Sequence, residues 1–448
     1  MKITLPNKVK YIIDTIAAAG YEAYAVGGCI RDSILGRNPA DWDITTSAKP
    51  EQVKELFPRT IDTGIAHGTV TVLLDKEGFE VTTYRIDGEY EDSRHPKEVI
   101  FTSNLIENLK RRDFTINAMA YNETTGLVDA FDGMGDIGRG VIRCVGNPLE
   151  RFTEDALRMM RAIRFSAQLG YEIEEQTTQA ICELAPNLKN ISAERIQVEL
   201  TKLMVSAHPE YLIKAYNTGV TKVFFPEFDV CMQTNQVHKH HMYDVGTHTL
   251  VALTHTPADK YLRLAALFHD IGKPAAMTLD LDGTTHFKGH QKISAKIAKE
   301  VLRRLRFDNG TIQTVSRLVE YHDYGNGVEP NSRIVRRAVH KIGEDIFDLL
   351  CQLRRADVLA QSMYMREEKL ALLDRWESIY KDIVEQKQCV SLKTLAVTGS
   401  DLIAEGMKPG KELGEVLKLL LDHVLDEPQD NTKEILIAYF HTHLHNIG

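Results

Sequence analysis

Within the first 165 residues, three clusters of charged side chains have the types and spacing that phosphate chemistry needs. Asp41 and Asp43 flank Trp42 in N-P-A-D-W-D-I-T-T, soon after the glycine pair Gly27-Gly28 and the following Arg31-Asp32. In an extended run, side chains at i and i+2 share a face, so the two carboxylates would stand side by side. Like charges that close raise each other's pKa unless a cation lies between them. Mg²⁺ suits such a pair, because it takes one or two carboxylates and fills its shell with water and substrate phosphates. Gly27-Gly28 has no side chain to obstruct a triphosphate, and Arg31 can pair with one. The plain alternative is a solvated turn, since D-x-D patterns are common in loops.

The second cluster is Lys110-Arg111-Arg112-Asp113, followed by Phe114-Thr115-Ile116-Asn117-Ala118. Three adjacent cations read either as a solvated basic turn or as a phosphate or ribose contact through Arg112, with Asp113 near the metal. The third is Arg151-Phe152-Thr153-Glu154-Asp155-Ala156-Leu157-Arg158-Met159-Met160-Arg161-Ala162-Ile163-Arg164-Phe165. With a helix starting at Thr153-Glu154-Asp155, Asp155 and Arg158 are three apart and adjacent, while Arg158, Arg161 and Arg164 spread over one flank. Asp155 as acceptor and Arg158 as donor would offer a Watson–Crick-like edge to a base; an exposed ion pair is the alternative.

A fourth group lies further on. His248, the adjacent His269-Asp270, His290, His322 and Asp357 form an ordered series on predicted helices. Imidazole and carboxylate ligands of this kind bind transition metals or bridge two divalent ions. Adjacent residues diverge by about 100° on a helix. His269 and Asp270 can therefore meet one ion only at an irregular helix end, for which Gly272 and Pro274 are suited. His238, His240, His241 and His255 read as surface or packing residues.

The bulk properties set limits on these sites. A chain of 448 residues exceeds one ordinary core. Its 43% hydrophobic and 26% charged content is that of a globular protein. No apolar run approaches the length of a membrane span, and the N-terminus reads as an amphipathic helix rather than a signal peptide. Six scattered cysteines without a CxxC pair imply reduced thiols in a cytoplasmic protein. A net charge of −9 speaks against coating of nucleic acid by bulk electrostatics and leaves room for local basic sites.

The elements that position these residues change character along the chain. Lys8–Ala19 reads as a helix, Ala23–Val26 as a strand entering the glycines, and Arg31–Leu35 as a helix opening. Trp42–Thr45, Thr69–Leu74 and Phe79–Tyr84 read as strands, with a hairpin turn at Lys76-Glu77-Gly78. From about Arg151 the pattern is helical, through 192–205, 247–256, 261–271, 290–305, 311–321, 333–341, 344–361 and 413–425. Asp280–Thr285 and Gln386–Ser400 read as loops. The expectation is an α+β protein with a mixed-sheet head over 1–145, a helical neck over 146–210 and an all-α body and tail over 211–448.

GGCIRD, DWDITT, RRDFTINA and ERFTEDALRMMRAIRF, in that order, resemble the successive motifs of class II tRNA nucleotidyltransferases, the CCA-adding enzymes, and of the related bacterial poly(A) polymerases. Ser192-Ala193-Glu194-Arg195-Ile196 with Glu199-Leu200 resembles their neck motif. The resemblance implies addition of CCA to the tRNA 3′ end from CTP and ATP. It implies Mg²⁺ on Asp41 and Asp43, and nucleotide contacts from Gly28, Arg31, Arg112, Asp155, Arg158, Arg161 and Arg164. Tyr84–Pro96 resembles the flexible loop needed for the final A, which argues against CC-only addition and leaves A-only addition open. The absence of a strongly basic C-terminal tail lowers the poly(A) polymerase reading.

The histidine series resembles the HD superfamily of metal-dependent phosphohydrolases, with a module at about 240–360. That implies a second divalent metal and action on phosphomonoesters or 2′,3′-cyclic phosphates; a body that only shapes the RNA-binding surface is the alternative. A phosphohydrolase with a nucleotide-sensing head and a non-catalytic RNA-binding module are the competing readings of the whole chain. The intact D-x-D and E-D-x-x-R motifs argue against the first, and the acidic balance against the second.

Overall fold

The structure is a computed structural model, and it describes residues 2–87 and 99–444. The chain forms two compact units, Met1–Asp229 with Arg304–Arg306, and Val230–Arg303 with Phe307–Gly448.

The first unit is built on a seven-stranded sheet: β1 Ala23–Val26, β2 Ile44–Thr46, β3 Thr60–Gly64, β4 Thr69–Leu74, β5 Glu77–Thr83, β6 Met119–Asn122 and β7 Gly126–Asp129, in the order β3-β4-β5-β2-β1-β6-β7. Only the β2–β5 pair is parallel. All four residues of β1 are buried because both faces of the sheet are covered. Ala23 and Ala25 face a core that includes Val9, Ile12, Ile13 and Ile16 of the helix Asn7–Ala18, whereas Tyr24 and Val26 face Tyr84, Leu105 and Leu109.

Two sequence expectations shift here. The β4–β5 turn is Asp75-Lys76, both at positive φ (51° and 70°), while Glu77 and Gly78 already pair with Leu74 and Leu73. Those dihedrals make the two-residue turn whose twist matches a hairpin, so ladder geometry outweighs glycine preference. Strand β2 starts at Ile44, so Asp41-Trp42-Asp43 precedes it instead of lying within it. Asp43 stays tied to the sheet through its carbonyl, which accepts the Val26 N–H at 2.9 Å.

The neck contains a larger departure. A helix over Pro148–Glu154 ends at Asp155, which is extended (φ −144°, ψ 102°), and a new helix runs over Leu157–Leu169. Asp155 is thus the joint between two helices, and the expected helical adjacency with Arg158 does not form. The Leu157–Leu169 helix packs beside Ala193–Met204. Of the loop expected over Tyr84–Pro96, residues 88–96 lie outside the described residues.

The second unit is helical, with helices at Val245–Thr254, Lys260–Phe268, His290–Arg304, Asn309–Tyr321, Ser332–Ile342, Glu344–Ala360 and Lys411–Asp426, each close to its sequence expectation. The twenty-residue helix Arg366–Glu385 was not among the expected helices. Asp280–Thr284 turns between the two-residue strands Thr278–Leu279 and Thr285–His286. All six cysteines are free thiols. Among the described residues no helix is long and apolar enough to cross a membrane.

Candidate functional sites

The acidic pair is presented at the end of the central strands, where β1 runs into Gly27. Trp42 packs against the core, so Asp41 and Asp43 on either side of it are left exposed. Gly27 has φ +89°, and a Cβ built on it would lie 2.7 Å from Arg112 Nη1. Only glycine satisfies both the backbone conformation and that close approach. The Arg112 guanidinium has no carboxylate within 4 Å among the described residues, and its Nε is buried without a hydrogen-bond partner. Burial lowers its pKa, against the pull of the Asp43 and Asp113 charges. Although the Asp43 side chain stays accessible, the protein crowded around it displaces enough solvent to raise its carboxyl against the pull of Arg112, and the charge of Asp41 raises it further. An acidic pair in that state suits a hard divalent cation on its oxygens.

Arg31 is 8% exposed, donates to Asn117 Oδ1 at 2.7 Å and to Asp32 at 2.9 Å, and lies 5.0 Å over the Phe165 ring. Asp113, expected near the metal, has another task. Its Oδ1 accepts from the Phe114 N–H (2.8 Å) and Asn117 Nδ2 (3.1 Å), and its Oδ2 from Arg161 (2.6 Å). Burial works to raise its pKa, but the Arg161 charge and these hydrogen bonds outweigh it and hold the carboxyl well below the usual range.

The third cluster is a network of ion pairs. Arg195, on the helix Ala193–Met204, grips Asp155 with two nitrogens at 2.7 and 3.3 Å, and Asp155 Oδ1 also accepts the Leu157 N–H at 3.0 Å. Arg158 bonds Glu154 at 2.6 Å and the carbonyls of Arg151 and Arg111, each at 3.1 Å. Arg164 pairs with Glu199 at 2.8 Å, with side chains 7% and 5% exposed, and its guanidinium lies 3.6 Å over Phe165. Of the three arginines at intervals of three, Arg161 keeps the most exposed side chain, at 34%. The expected cationic flank is therefore mostly interior.

In the second unit the six-residue series closes into one cluster. His269 and His322 sit one residue past the helices Lys260–Phe268 and Asn309–Tyr321. Each uses Nδ1 to bond a carbonyl three residues back, Ala266 and Val319, both at 2.7 Å. His290 Nδ1 does the same to Phe287 at 2.8 Å, and His248 Nδ1 bonds the Ala360 carbonyl at 3.3 Å. The last turn of a helix leaves carbonyls such as those of Ala266, Val319 and Ala360 short of helical partners, and each of these bonds, like the one to Phe287, fixes a ring with Nε2 pointing onward. The four Nε2 atoms converge in two pairs, His248–His269 and His290–His322, each at 3.2 Å. Asp270 lies between the pairs, with Oδ2 3.2 Å from His269 and Oδ1 3.2 Å from His290, and Asp357 Oδ1 is 3.0 Å from His248. The irregular end expected at His269-Asp270 is present. A Cβ on Gly272 would meet Ser294 N at 2.5 Å, so glycine lets the two segments touch. Two triads sharing Asp270, His248/His269/Asp270 and Asp270/His290/His322, have the spacing of metal ligands. Nitrogen-rich sets of this kind suit transition metals.

Three family models match the chain: Poly A polymerase head domain over residues 23–143, probable RNA and SrmB-binding site of polymerase A over 170–232, and tRNA nucleotidyltransferase domain 2, putative, over 285–440. The CCA-adding enzyme of Levilactobacillus brevis is 36% identical over 433 residues, 95% of each chain, and that of Enterococcus faecalis 34% identical over 447 residues, 98% of this chain and 97% of the other. The chain belongs to the CCA-adding enzyme family. A crystal structure of Bacillus stearothermophilus CCA-adding enzyme in complex with CTP matches 99% of this chain and 100% of its own, at a TM-score of 0.71 and 27% identity. Metal-dependent nucleotidyl transfer is the chemistry of this family.

In a CCA-adding enzyme, three further residues join the expected sites. Asn117 orients both Arg31 and Asp113, and Arg195 holds Asp155; both stand in the quoted motifs with no role attached. His241 was read as a surface or packing residue, and it lines a cavity beside the histidine cluster. Burial, with the Lys273 charge, depresses its pKa to about 3, so the ring is neutral. Nothing in local periodicity marks it, because its position follows from the turn that precedes Val245–Thr254.

Proposed function

We propose that this chain adds CCA to tRNA 3′ ends from CTP and ATP, without a nucleic-acid template and in the cytoplasm, with release of pyrophosphate. The observation that carries the reading is the set gathered at the end of β1: Asp41 and Asp43, a glycine turn kept open at Gly27, and Arg112, which among the described residues has no carboxylate within 4 Å. Asp41 and Asp43 hold Mg²⁺, which when bound polarises the α-phosphate and favours ionisation of the attacking hydroxyl. Arg112 and Arg31 receive the triphosphate, and Gly28 leaves its path clear. The RNA 3′-oxygen bonds to the α-phosphorus as the α–β phosphoanhydride bond breaks.

Asp155 and Arg158 select the base. Cytosine and adenine each present an amino donor beside a ring-nitrogen acceptor, which meets a carboxylate and a guanidinium; guanine and uracil present the reverse. Arg195 fixes the Asp155 carboxylate for this, and Arg161 is the most accessible cation on the same helix. Arg164 supports the site through Glu199 and Phe165 from the interior. Incubation with Mg²⁺, tRNA lacking its last three nucleotides and labelled nucleotides tests the reading. Incorporation of two C and one A, then arrest, is expected. Addition of A only to tRNA ending in CC, or long A tails on generic RNA, replaces it with the A-adding or poly(A) polymerase reading.

A second reading concerns the helical unit alone, and the converging Nε2 atoms favour it. His248, His269, Asp270, His290, His322 and Asp357 hold divalent metal and support phosphohydrolysis. His269→Ala is expected to abolish metal uptake by that unit while leaving CCA addition intact, and Asp41→Ala to do the reverse.

A further inference from the structure

Phe165 ends the third cluster, and its ring gathers three of the site's guanidiniums. Arg164 lies 3.6 Å from the ring centroid, Arg31 5.0 Å and Arg161 5.4 Å. Arg31 comes from the helix Gly28–Ile34 of the head, and the other two come from the neck helix Leu157–Leu169. A Cβ on Gly28 would lie 3.6 Å from Arg31 Nη2, so this guanidinium lies against the glycine turn. The ring is 6% exposed, and Phe114 meets it edge to face at 5.8 Å and 80°. Phe114 directly follows Asp113, the acceptor of Arg161.

Three like charges around one ring repel. Burial lowers the Arg164 pKa; Glu199 opposes this, and the Arg161 charge adds to it. Each cation has its own carboxylate: Asp32 for Arg31 at 2.9 Å, Asp113 for Arg161 at 2.6 Å and Glu199 for Arg164 at 2.8 Å. Among the described residues none of those carboxylates pairs with both Arg31 and a neck arginine, whereas the ring faces all three cations. The face of an aromatic ring carries negative partial charge and attracts cations most strongly where water is excluded. An aliphatic side chain could fill the same space and would offer no such charge.

We infer that Phe165 is a positioning residue for nucleotide binding. Its ring seats Arg31 beside the glycine turn and Arg161 on the base-selecting helix, and so holds the triphosphate contact and the selecting edge in one arrangement. The inference rests on the nucleotidyl-transfer reading above, which places Arg31 at the triphosphate and Asp155 with Arg158 at the base; Phe165 acts through the arginines and touches neither part of the nucleotide. CTP and ATP share the triphosphate, so loss of the seat weakens both alike and leaves the choice between them unchanged.

The test puts phenylalanine carrying one, two or three ring fluorines, or cyclohexylalanine, in place of Phe165 in the full chain. Fluorine draws charge from the ring face in steps while adding little volume, and cyclohexylalanine removes the aromatic face at similar apolar volume. With Mg²⁺ present, KM and kcat are measured for CTP on tRNA lacking its last three nucleotides and for ATP on tRNA ending in CC. KM for both nucleotides is expected to rise stepwise with fluorine count, to about tenfold with three fluorines or with cyclohexylalanine, while kcat and the KM for tRNA stay within about twofold of wild type. A ring that only fills space gives a flat series, because fluorine leaves its shape and apolar character in place. Equal KM in wild type and every substituted protein overturns the inference, and so does a rise for one nucleotide alone. Wild type that incorporates neither C nor A overturns the nucleotidyl-transfer reading and this inference with it; an active wild type with a flat series overturns the inference alone. Should cyclohexylalanine cost the fold, the fluorinated proteins, close to wild type in shape, decide the outcome.

Discussion

The Arg164–Glu199 pair joins the two neck helices, and removing one half of it exposes what the network does. The atoms are 2.8 Å apart and both side chains are buried. At an effective dielectric constant of about 20, the attraction at that distance is roughly 6 kcal/mol, much of it offset by the cost of taking both ions from water. Glu199→Leu leaves the guanidinium buried with, among the described residues, Gln168 (2.9 Å) and the Phe165 ring as its direct partners. Loss of one member of a buried pair costs about 3–5 kcal/mol, and those two partners place this case near 3. The double variant Arg164→Met/Glu199→Leu removes both charges and keeps comparable volume, so it is expected within about 1 kcal/mol of wild type.

Hydrogen exchange over Leu157–Leu169 and Ala193–Met204 reads the effect directly. A loss of about 3 kcal/mol accelerates exchange roughly 10²-fold in the single variant, and the double variant recovers most of it. Exchange in Glu199→Leu within about threefold of wild type would refute the assignment of a buried, mutually dependent pair. The same proteins separate scaffold from contact. A double variant that regains protection and nucleotide addition has Arg164 acting through packing; one that regains protection and still fails to bind CTP and ATP has lost a direct nucleotide contact.

Other predictions follow from single features. Asp43→Asn is expected to abolish incorporation of labelled CTP and ATP with an unchanged melting curve, since the exposed pair supports an ion and little of the fold. Gly27→Ala combines a φ of +89° with a clash against Arg112 Nη1, so it should cost about 1–2 kcal/mol in thermal unfolding and raise KM for both nucleotides together. In metal-free protein, burial disfavours the His269 imidazolium, but Asp270 and then Asp357 outweigh it and raise its pKa to about 9. A raised folded-state pKa gives stability that is full below about 6.5 and lost as pH rises through about 9. The melting temperature of the chelated protein should therefore fall between those values, and Mn²⁺ should remove the slope.

The sequence carried the order of the sites and most helix positions, because both depend on local pattern. Apolar spacing placed Val245–Thr254 and Glu344–Ala360, and a helix-breaking Gly-x-Pro after His269-Asp270 foretold the irregular end that lets both face one site. What escaped depends on partners remote in sequence. Asp155 sits in a run with good helical character, yet it leaves the helix; its carboxylate is then held by Arg195, forty residues away. The turn at Asp75-Lys76 is chosen by strand pairing, and Lys76-Glu77-Gly78 is the better match on composition alone. Arg354 is the sharpest case. Beside Arg355 in R-R-A-D it looks like half of an ordinary charged pair, and only the fold shows that Arg355 bonds Asp374 and Glu377 while Arg354 is buried in the wall of a cavity. A helix turns about 100° per residue, so neighbours identical in type enter different environments. Residue type alone could not distinguish them.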